Sequence, residues 1–325
     1  MNTARTAYID FLRALAILIM LMANISPVFF NPETPILLRM IYSMAAPIFV
    51  FLAGYSAFTF SSSNGNFAFW RVLFAAVLLD ICVWHYFPFN SFDVLYTTAL
   101  VVASVPLFKK IPAYFQHLSF LVLLTLWILS LLYYPYRFEL SDPHHFNIAD
   151  SLKRWLFDGW FPILPWILTG WVGAYFAKFK LIEKTWIKWS GLALFIGGAG
   201  LIYYQPLNPA REGYLEIFYP VTFKFLFFSW GLITLLLFVI STEKDLISKN
   251  NLLCVIGRNS LFAYILHCVF IAFVIGKIEI ENTVSNMLLT WLSLTVVIFM
   301  LCYAREKFIP KSAELPKWLR LLTGI

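Results

Sequence analysis

Long, predominantly apolar runs are the feature that most constrains this chain. Phe11–Phe30, Leu118–Tyr136 and Val284–Ala304 are examples, each roughly twenty residues long. In the hydrocarbon core of a bilayer every backbone N–H and C=O must be paired within the protein, so only helices and closed barrels can span it. Runs of about 20 residues have the length of a transmembrane helix, whereas barrel strands would give alternating segments of about ten. The sequence therefore predicts an all-α transmembrane helix bundle.

Composition excludes a soluble domain. Hydrophobic residues make up 61% of the chain and charged residues 13%, whereas soluble domains have about 25% charged residues. The net charge of +7 would suggest a nucleic-acid partner in a soluble protein. Here the basic residues cluster in one set of loops, so topology explains them and no nucleic-acid partner is expected. The four cysteines lie in apolar stretches without C-x-x-C spacing, which predicts neither a disulfide framework nor a metal site.

Ten candidate spans can be placed, and the loops between them differ in charge. If the N-terminus is cytoplasmic, the inside segments hold fifteen Lys and Arg residues and the outside segments seven. Such an excess is typical of cytoplasmic loops, so we predict about ten spans with both termini cytoplasmic. Residues 1–304 are assigned to one transmembrane domain, and residues 305–325 to a basic interfacial tail. The spans are Phe11–Phe30, Leu37–Phe60, Phe69–Phe87, Phe92–Phe108, Leu118–Tyr136, Trp160–Phe179, Ile187–Tyr204, Ile217–Ser241, Leu252–Gly276 and Val284–Ala304.

The first span carries polar side chains along one face. Asp10 and Arg13 are three residues apart and are neighbours on a helix. Arg13 and Asn24 are eleven apart, which gives a net rotation of about 20° and a rise of about 16 Å, so both point the same way. Charged residues at membrane depth usually face the bundle interior and mark function. This stripe could line a path across the bilayer; alternatively, the arginine reaches the headgroups and the asparagine joins helices.

The ninth span has a second polar face. Ser260, Tyr264 and His267 follow i, i+4, i+7 spacing and share one side of a helix, and Arg258 lies just before them. His267 falls near mid-depth. A histidine there is a candidate general base, because imidazole titrates near neutral pH. A structural, hydrogen-bonded histidine is the alternative.

Further polar residues lie at the predicted outer side. Asp80, within the third span, is expected to be buried and paired, with an arginine of the first or ninth span as a possible partner. His85 ends that span and has either a catalytic or an ordinary interfacial role. His144 and His145 are adjacent in the long outer loop, where histidines are commonly just solvated.

Five segments in order resemble the heparan-α-glucosaminide N-acetyltransferase family. They are RTAYIDFLRALAILIMLMAN at 5–24, AAPIFVFLAGYS at 45–56, FPFNSFDVLYTTAL at 87–100, FPILPW at 161–166 and IGRNSLFAYILH at 256–267.

The resemblance implies an activity. Members of the family move an acyl group from a cytosolic acyl-CoA to a sugar on the far side of the membrane. In the related acyltransferase-three family, the arginine or lysine of the first helix is followed after ten residues by histidine. Here Arg13 is followed by Asn24, as in the glucosaminide branch, and His267 also matches a family position. That branch has its catalytic histidine in the next loop, whereas NISPVFFNPETP contains none.

The implied reaction needs a base near the attacking group and a donor for the developing oxyanion. Asn24 fits the donor, and His267, His85 or a loop histidine fits the base. The candidate residues are Asn24, His267 and His85 as catalytic groups, Arg13, Arg258 and Asp10 for acyl-CoA, and His144, His145 and Tyr264 for the acceptor.

The leading hypothesis is a bacterial inner-membrane O- or N-acyltransferase. Its co-substrate would be acyl-CoA, with acetyl-CoA favoured and no metal, and its acceptor an envelope glycan or glycolipid. The bilayer and a second copy of the chain, as a homodimer, are the expected partners. The alternatives are a transporter or lipid-handling permease and a catalytically degenerate family member.

Overall fold

The computed structural model describes residues 7–30, 36–60, 65–133, 144, 146–158, 160–204, 221–242, 251–278 and 280–308. Every regular element in these ranges is helical, which confirms the all-α prediction. Two π-helical segments, Asp80–Trp84 and Arg154–Asp158, each directly follow the end of an α-helix. The α-helices are α1 (Ala7–Phe30), α2 (Ile36–Tyr42), α3 (Ala45–Phe60), α4 (Gly65–Leu79), α5 (Val94–Lys110), α6 (Ala113–Tyr133), α7 (Ile148–Lys153), α8 (Ile163–Lys178), α9 (Trp186–Tyr204), α10 (Phe223–Thr242), α11 (Leu252–Arg258), α12 (Ser260–Phe273) and α13 (Val284–Phe308).

Seven helical stretches of the described residues are long and apolar enough to cross a membrane. Helices α5 and α8, with 17 and 16 residues, are shorter. The total of ten spans and the cytoplasmic position of both termini stay predictions. Helix α13 continues to Phe308, and the rest of the predicted tail, 309–325, lies outside the described residues. The seven stretches are Ala7–Phe29, Leu37–Phe60, Phe67–Trp84, Trp186–Tyr204, Phe223–Thr242, Ser260–Lys277 and Val284–Phe308.

The chain divides into two compact units. We call Phe49–Thr185 the middle unit, and Asn2–Ile48 together with Trp186–Ile325 the terminal unit. Each is described by itself below.

In the middle unit, α3 and α8 cross at backbone distance. A methyl group added to Gly54 would lie 1.8 Å from the carbonyl oxygen of Gly170, so the crossing requires glycine. Small residues permit this close approach between membrane helices. The rings of Phe51 and Phe176 meet edge to face at 5.2 Å beside the crossing and fill the adjacent space. The result is a tight contact made of backbone and aromatic surface.

In the terminal unit, α1 packs against α11 and α13. A methyl group at Gly257 of α11 would lie 1.7 Å from the carbonyl oxygen of Asp10, so these two helices also touch through their backbones. On α13, the indole Nε1 of Trp291 donates to the carbonyl oxygen of Leu18 at 3.0 Å. Helix α12 follows α11 after a break at Asn259. These contacts determine where the polar side chains of α1 and α12 lie.

Candidate active site

Helix α1 presents the three polar residues that the sequence places on one face. Asp10 is 3% exposed, and its Oδ1 accepts a hydrogen bond from Nη1 of Arg13 at 2.9 Å, which makes an i, i+3 ion pair. Asn24 lies eleven residues beyond Arg13 on the same helix, about 16 Å along its axis. The two residues that the sequence predicts as neighbours therefore form an ion pair.

The side chains of Asn24 and His267 are in direct contact. Nδ2 of Asn24 lies 3.0 Å from Nε2 of His267, although 243 residues separate them in the sequence. His267 is 1% exposed on α12, and Asn24 is half-buried on α1. The structure thus joins the two residues that the sequence marks on different spans. Their catalytic roles stay predictions.

The contact also defines the state of the imidazole. With the Asn24 amide oriented so that its nitrogen faces the ring, that nitrogen donates and cannot accept, so Nε2 of His267 is the unprotonated nitrogen and Nδ1 carries the proton. The ring also hydrogen-bonds backbone groups of Tyr264 and Ala263, one turn earlier on α12. His267 is therefore neutral, with its basic lone pair directed at Asn24. This is the tautomer that a general base acting through Nε2 requires.

Tyr264 and Cys268 pack around this imidazole. The ring of Tyr264 meets that of His267 edge to face at 4.8 Å. Sγ of Cys268 lies 3.6 Å from Nε2 and 3.8 Å from Nδ1. Such similar distances place the sulfur beside the ring and away from both lone-pair directions, because a thiol aimed at one nitrogen would be far from the other. Cys268 therefore packs on the ring as a soft apolar group and has no geometry for proton exchange with it.

Arg258 is engaged in an ion pair with α13. Its Nε and Nη2 donate to Oε1 and Oε2 of Glu306 at 2.9 and 2.8 Å, in the bidentate geometry that guanidinium and carboxylate favour. Asn259 donates to the same carboxylate at 2.8 Å and accepts a hydrogen bond from Arg305. This polar group joins the end of α11 to the end of α13.

Sequence reasoning assigned no role to Asn259 and placed Arg305 and Glu306 only in the basic interfacial tail. A signal was present, because Arg258 lies within one apolar run and Arg305 and Glu306 directly follow another. Charges at such depth usually pair with one another. The sequence alone does not state which cation meets which anion.

His85 and His144, which the sequence predicts at the outer side, lie in the middle unit. His85 is exposed with a left-handed backbone, at φ 55°, and its carbonyl oxygen lies 3.0 Å from Nδ1 of His144. The ring of His144 also meets Tyr86 edge to face at 5.6 Å. His85 and His144 are thus brought together, whereas His145 lies outside the described residues.

Asp80 is buried and paired, as expected, but by other partners than the predicted arginines. It is 1% exposed, and its Oδ2 accepts hydrogen bonds from the hydroxyl of Tyr96 at 2.5 Å and the backbone N–H of Phe89 at 3.0 Å. Arg13 and Arg258 instead form ion pairs with Asp10 and Glu306. The carboxylate of Asp80 holds the loop after α4, in which His85, Phe89 and Phe92 all have positive φ.

Within the described ranges, no three His, Cys, Asp or Glu side chains lie close enough together to hold a metal ion.

The fold and the Asn24–His267 contact define a helical integral membrane protein with a buried polar site. Residues 5–209 match the family model described as heparan-alpha-glucosaminide N-acetyltransferase, catalytic. This match covers more than half of the chain, so the chain belongs to that family, and the resemblance seen in the sequence is confirmed. Membership indicates a membrane acetyltransferase. The matched region includes Asn24 and ends before His267, and a comparison with curated proteins finds no match.

Proposed function

We propose that this protein transfers an acetyl group from cytosolic acetyl-CoA to a carbohydrate on the opposite side of a bacterial inner membrane. One observation carries the proposal: in a chain of this acetyltransferase family, a neutral, buried histidine is hydrogen-bonded to the first-helix asparagine. The acceptor would be an envelope glycan or glycolipid with a free amine or hydroxyl.

The proposed chemistry uses both members of the pair. The acceptor N–H or O–H would replace the Asn24 amide at Nε2 of His267, and its proton would pass to that nitrogen as the acceptor atom attacks the thioester carbon. The amide of Asn24, once released, would donate to the developing oxyanion. The carbon–sulfur bond then breaks, and the proton held by His267 passes to the departing thiolate. The products are the acetylated acceptor and free CoA.

The donor would approach from the Arg13 end of α1. Arg13 and Arg258 are the proposed ligands of the CoA phosphates, because guanidinium groups bind phosphate well. Together with Arg305 they make three positive charges, and the carboxylates of Asp10 and Glu306, which pair with Arg13 and Arg258, make two negative ones. This excess of positive charge fits a phosphorylated ligand. Asp10 would act through Arg13, whose guanidinium it orients.

The acceptor would be bound by aromatic and imidazole groups. Tyr264 lies on the ring of His267 and would border the reacting atoms. In the middle unit, His85 and His144 stay predicted ligands of the carbohydrate, as does His145, since imidazoles can donate to and accept from sugar hydroxyls. His85 was also a candidate base; His267 is preferred because it contacts Asn24. A homodimer remains a proposal.

Purified protein incubated with radiolabelled acetyl-CoA, glucosamine and an envelope glycan extract tests the proposal. We expect CoA release coupled to labelling of the acceptor, and a loss of about 100-fold or more in kcat for Asn24→Ala and His267→Ala. His117→Ala is the matched control, because His117 is an exposed histidine that packs on Tyr175 and Phe179. Neutral hydroxylamine then distinguishes a labile O-acetyl ester from a stable amide.

The same assay separates the enzyme from its alternatives. The acetyltransferase proposal is wrong if no CoA is released and if wild type, Asn24→Ala and His267→Ala behave alike. Uptake of labelled solute into vesicles without acetylation would instead favour a transporter. Supplying acetyl-CoA on one face of sealed vesicles and the acceptor on the other tests the proposed sidedness.

A further inference from the structure

The break between α11 and α12 lies at Asn259. Its backbone, at φ −103° and ψ 25°, departs from α-helical values, and its N–H is shared between the carbonyl oxygens of Val255 and Ile256 at 3.2 and 3.1 Å. Its side-chain Nδ2 also donates to the oxygen of Val255 at 2.8 Å. The backbone and the side chain of Asn259 therefore both hydrogen-bond to the last turn of α11, which stabilises the break.

The same side chain is attached to α13. Nδ2 of Asn259 donates to Oε1 of Glu306 at 2.8 Å, and its Oδ1 accepts from Nη1 of Arg305. Glu306 also accepts two hydrogen bonds from the guanidinium of Arg258. Two consecutive residues at the break, 258 and 259, are therefore joined to two consecutive residues of α13, 305 and 306. Asn259 is 6% exposed, so its own polar atoms are shielded from competing water, whereas the side chains of Arg258 and Glu306 are 25% and 31% exposed.

The residue before this pair is attached to α1. Gly257 packs against the backbone of Asp10 so closely that a methyl group would be 1.7 Å from its carbonyl oxygen. Helix α1 carries Asn24, and α12, which starts at Ser260, carries His267. We call residues 257–259 the joint. It contacts both α1 and α13 and leads directly into the helix that carries the proposed base.

We propose that Asn259 is a positioning residue that sets the direction of α12 and so keeps His267 against Asn24. This inference rests on the proposed acetyl transfer. His267 lies eight residues beyond Asn259, about 12 Å along the helix, so a tilt of about 10° at the joint would move its side chain by about 2 Å. A hydrogen bond of 3.0 Å does not survive such a shift. The effect reaches the reaction through His267, since Asn259 itself contacts Glu306, Arg305 and Val255.

Asn259→Ala tests the inference with two readouts in the detergent-purified full chain. The first is steady-state kinetics: we expect kcat to fall about tenfold while KM for acetyl-CoA changes less than twofold. The second does not depend on turnover. In protein carrying ¹⁵N-labelled histidine, five histidines contribute, and His267 can be assigned by its loss in His267→Gln. Wild type should show His267 locked with the proton on Nδ1, and Asn259→Ala should show a mixture of tautomers.

Asn286→Ala is the matched control, because Asn286 hydrogen-bonds the carbonyl oxygen of Glu281 near the opposite end of α13. It should leave both readouts unchanged. If Asn259→Ala does not give a monodisperse protein, Glu306→Gln serves instead, since it keeps the side-chain length and weakens the same attachment. A folded Asn259→Ala protein with wild-type kcat, or with His267 still locked, overturns the inference. A wild type that shows the locked tautomer but transfers no acetyl group would refute the proposed function and leave the positional role supported.

Discussion

The Asn24–His267 pair and the Asp80 carboxylate are both buried polar groups, but they are held differently. Asp80 accepts hydrogen bonds from Tyr96, from the backbone of Phe89 and from Ser91, all within sixteen residues. His267 receives at Nε2 one neutral hydrogen bond from a residue 243 positions away. A charged acceptor held by several local donors is costly to disturb, whereas a neutral donor can be exchanged for a substrate group at a cost of about 1 kcal/mol. This difference is the one expected if Asp80 is structural and His267 takes part in the proposed reaction.

The largest expected effect comes from Asn24→Asp. A carboxylate accepts where the amide donates, so it would draw the imidazole proton to Nε2 and remove the basic lone pair from the site. We expect kcat to fall about 100- to 1000-fold, as when an oxyanion donor is lost. Kinetics with acetyl-CoA and glucosamine measure this. Asn286→Asp controls for the added charge, and an Asn24→Asp enzyme within threefold of wild type would contradict the assigned tautomer.

A matched pair of glycine substitutions compares the two units directly. Gly257→Ala and Gly54→Ala each place a methyl group 1.7 or 1.8 Å from a backbone oxygen, so both should lower the free energy of unfolding by about 1–3 kcal/mol. Only Gly257→Ala displaces α11 from the helix that carries Asn24. We expect about a tenfold loss of kcat per folded molecule for Gly257→Ala and less than twofold for Gly54→Ala. Thermal unfolding and active-fraction kinetics measure the two effects, and equal kcat values would show that the joint does not position the site.

Asp80→Asn should lower the stability of the protein and weaken acceptor binding. The amide keeps one oxygen to accept from Tyr96 and Phe89 but loses the negative charge and the second acceptor oxygen, so we expect a loss of about 2 kcal/mol in the free energy of unfolding. The carboxylate also holds the loop that carries His85, so KM for the acceptor should rise severalfold with kcat within threefold. Denaturant unfolding in detergent and acceptor titrations measure these quantities. A 100-fold fall in kcat with normal stability would assign Asp80 to the chemistry instead.

Tyr96→Phe should have the smallest effect. It removes the hydroxyl that donates to Asp80 at 2.5 Å and accepts from the backbone N–H of Phe89 at 3.0 Å. Phe89 can still donate to Asp80, so the expected loss is about 1 kcal/mol, with little change in kcat. Thermal unfolding provides the measurement. Tyr303→Phe, at an exposed position of α13, is the control and should be neutral.

The spacing of polar residues along single helices was enough to identify much of the candidate site. The spacing of Arg13 and Asn24 on the first span, and of Tyr264 and His267 on a later one, predicts shared faces because the helical period is fixed. The expectation that an arginine pairs with Asp80 was wrong. An arginine is the obvious partner for a buried carboxylate, but a hydroxyl and a backbone N–H satisfy it equally well, and the sequence does not encode which donor the loop brings near.

The sequence by itself determined that this chain is an apolar helix bundle, because a bilayer leaves the backbone few alternatives and twenty apolar residues have the required length. It also determined which polar residues are costly enough at membrane depth to need a purpose. Tertiary structure decided which of them meet. The contact of Asn24 with His267, and the attachment of Asn259 to Glu306, depend on how helices separated by more than forty residues cross. Those crossings are set by local shape, such as the missing side chain of Gly257, which helical periodicity does not reveal.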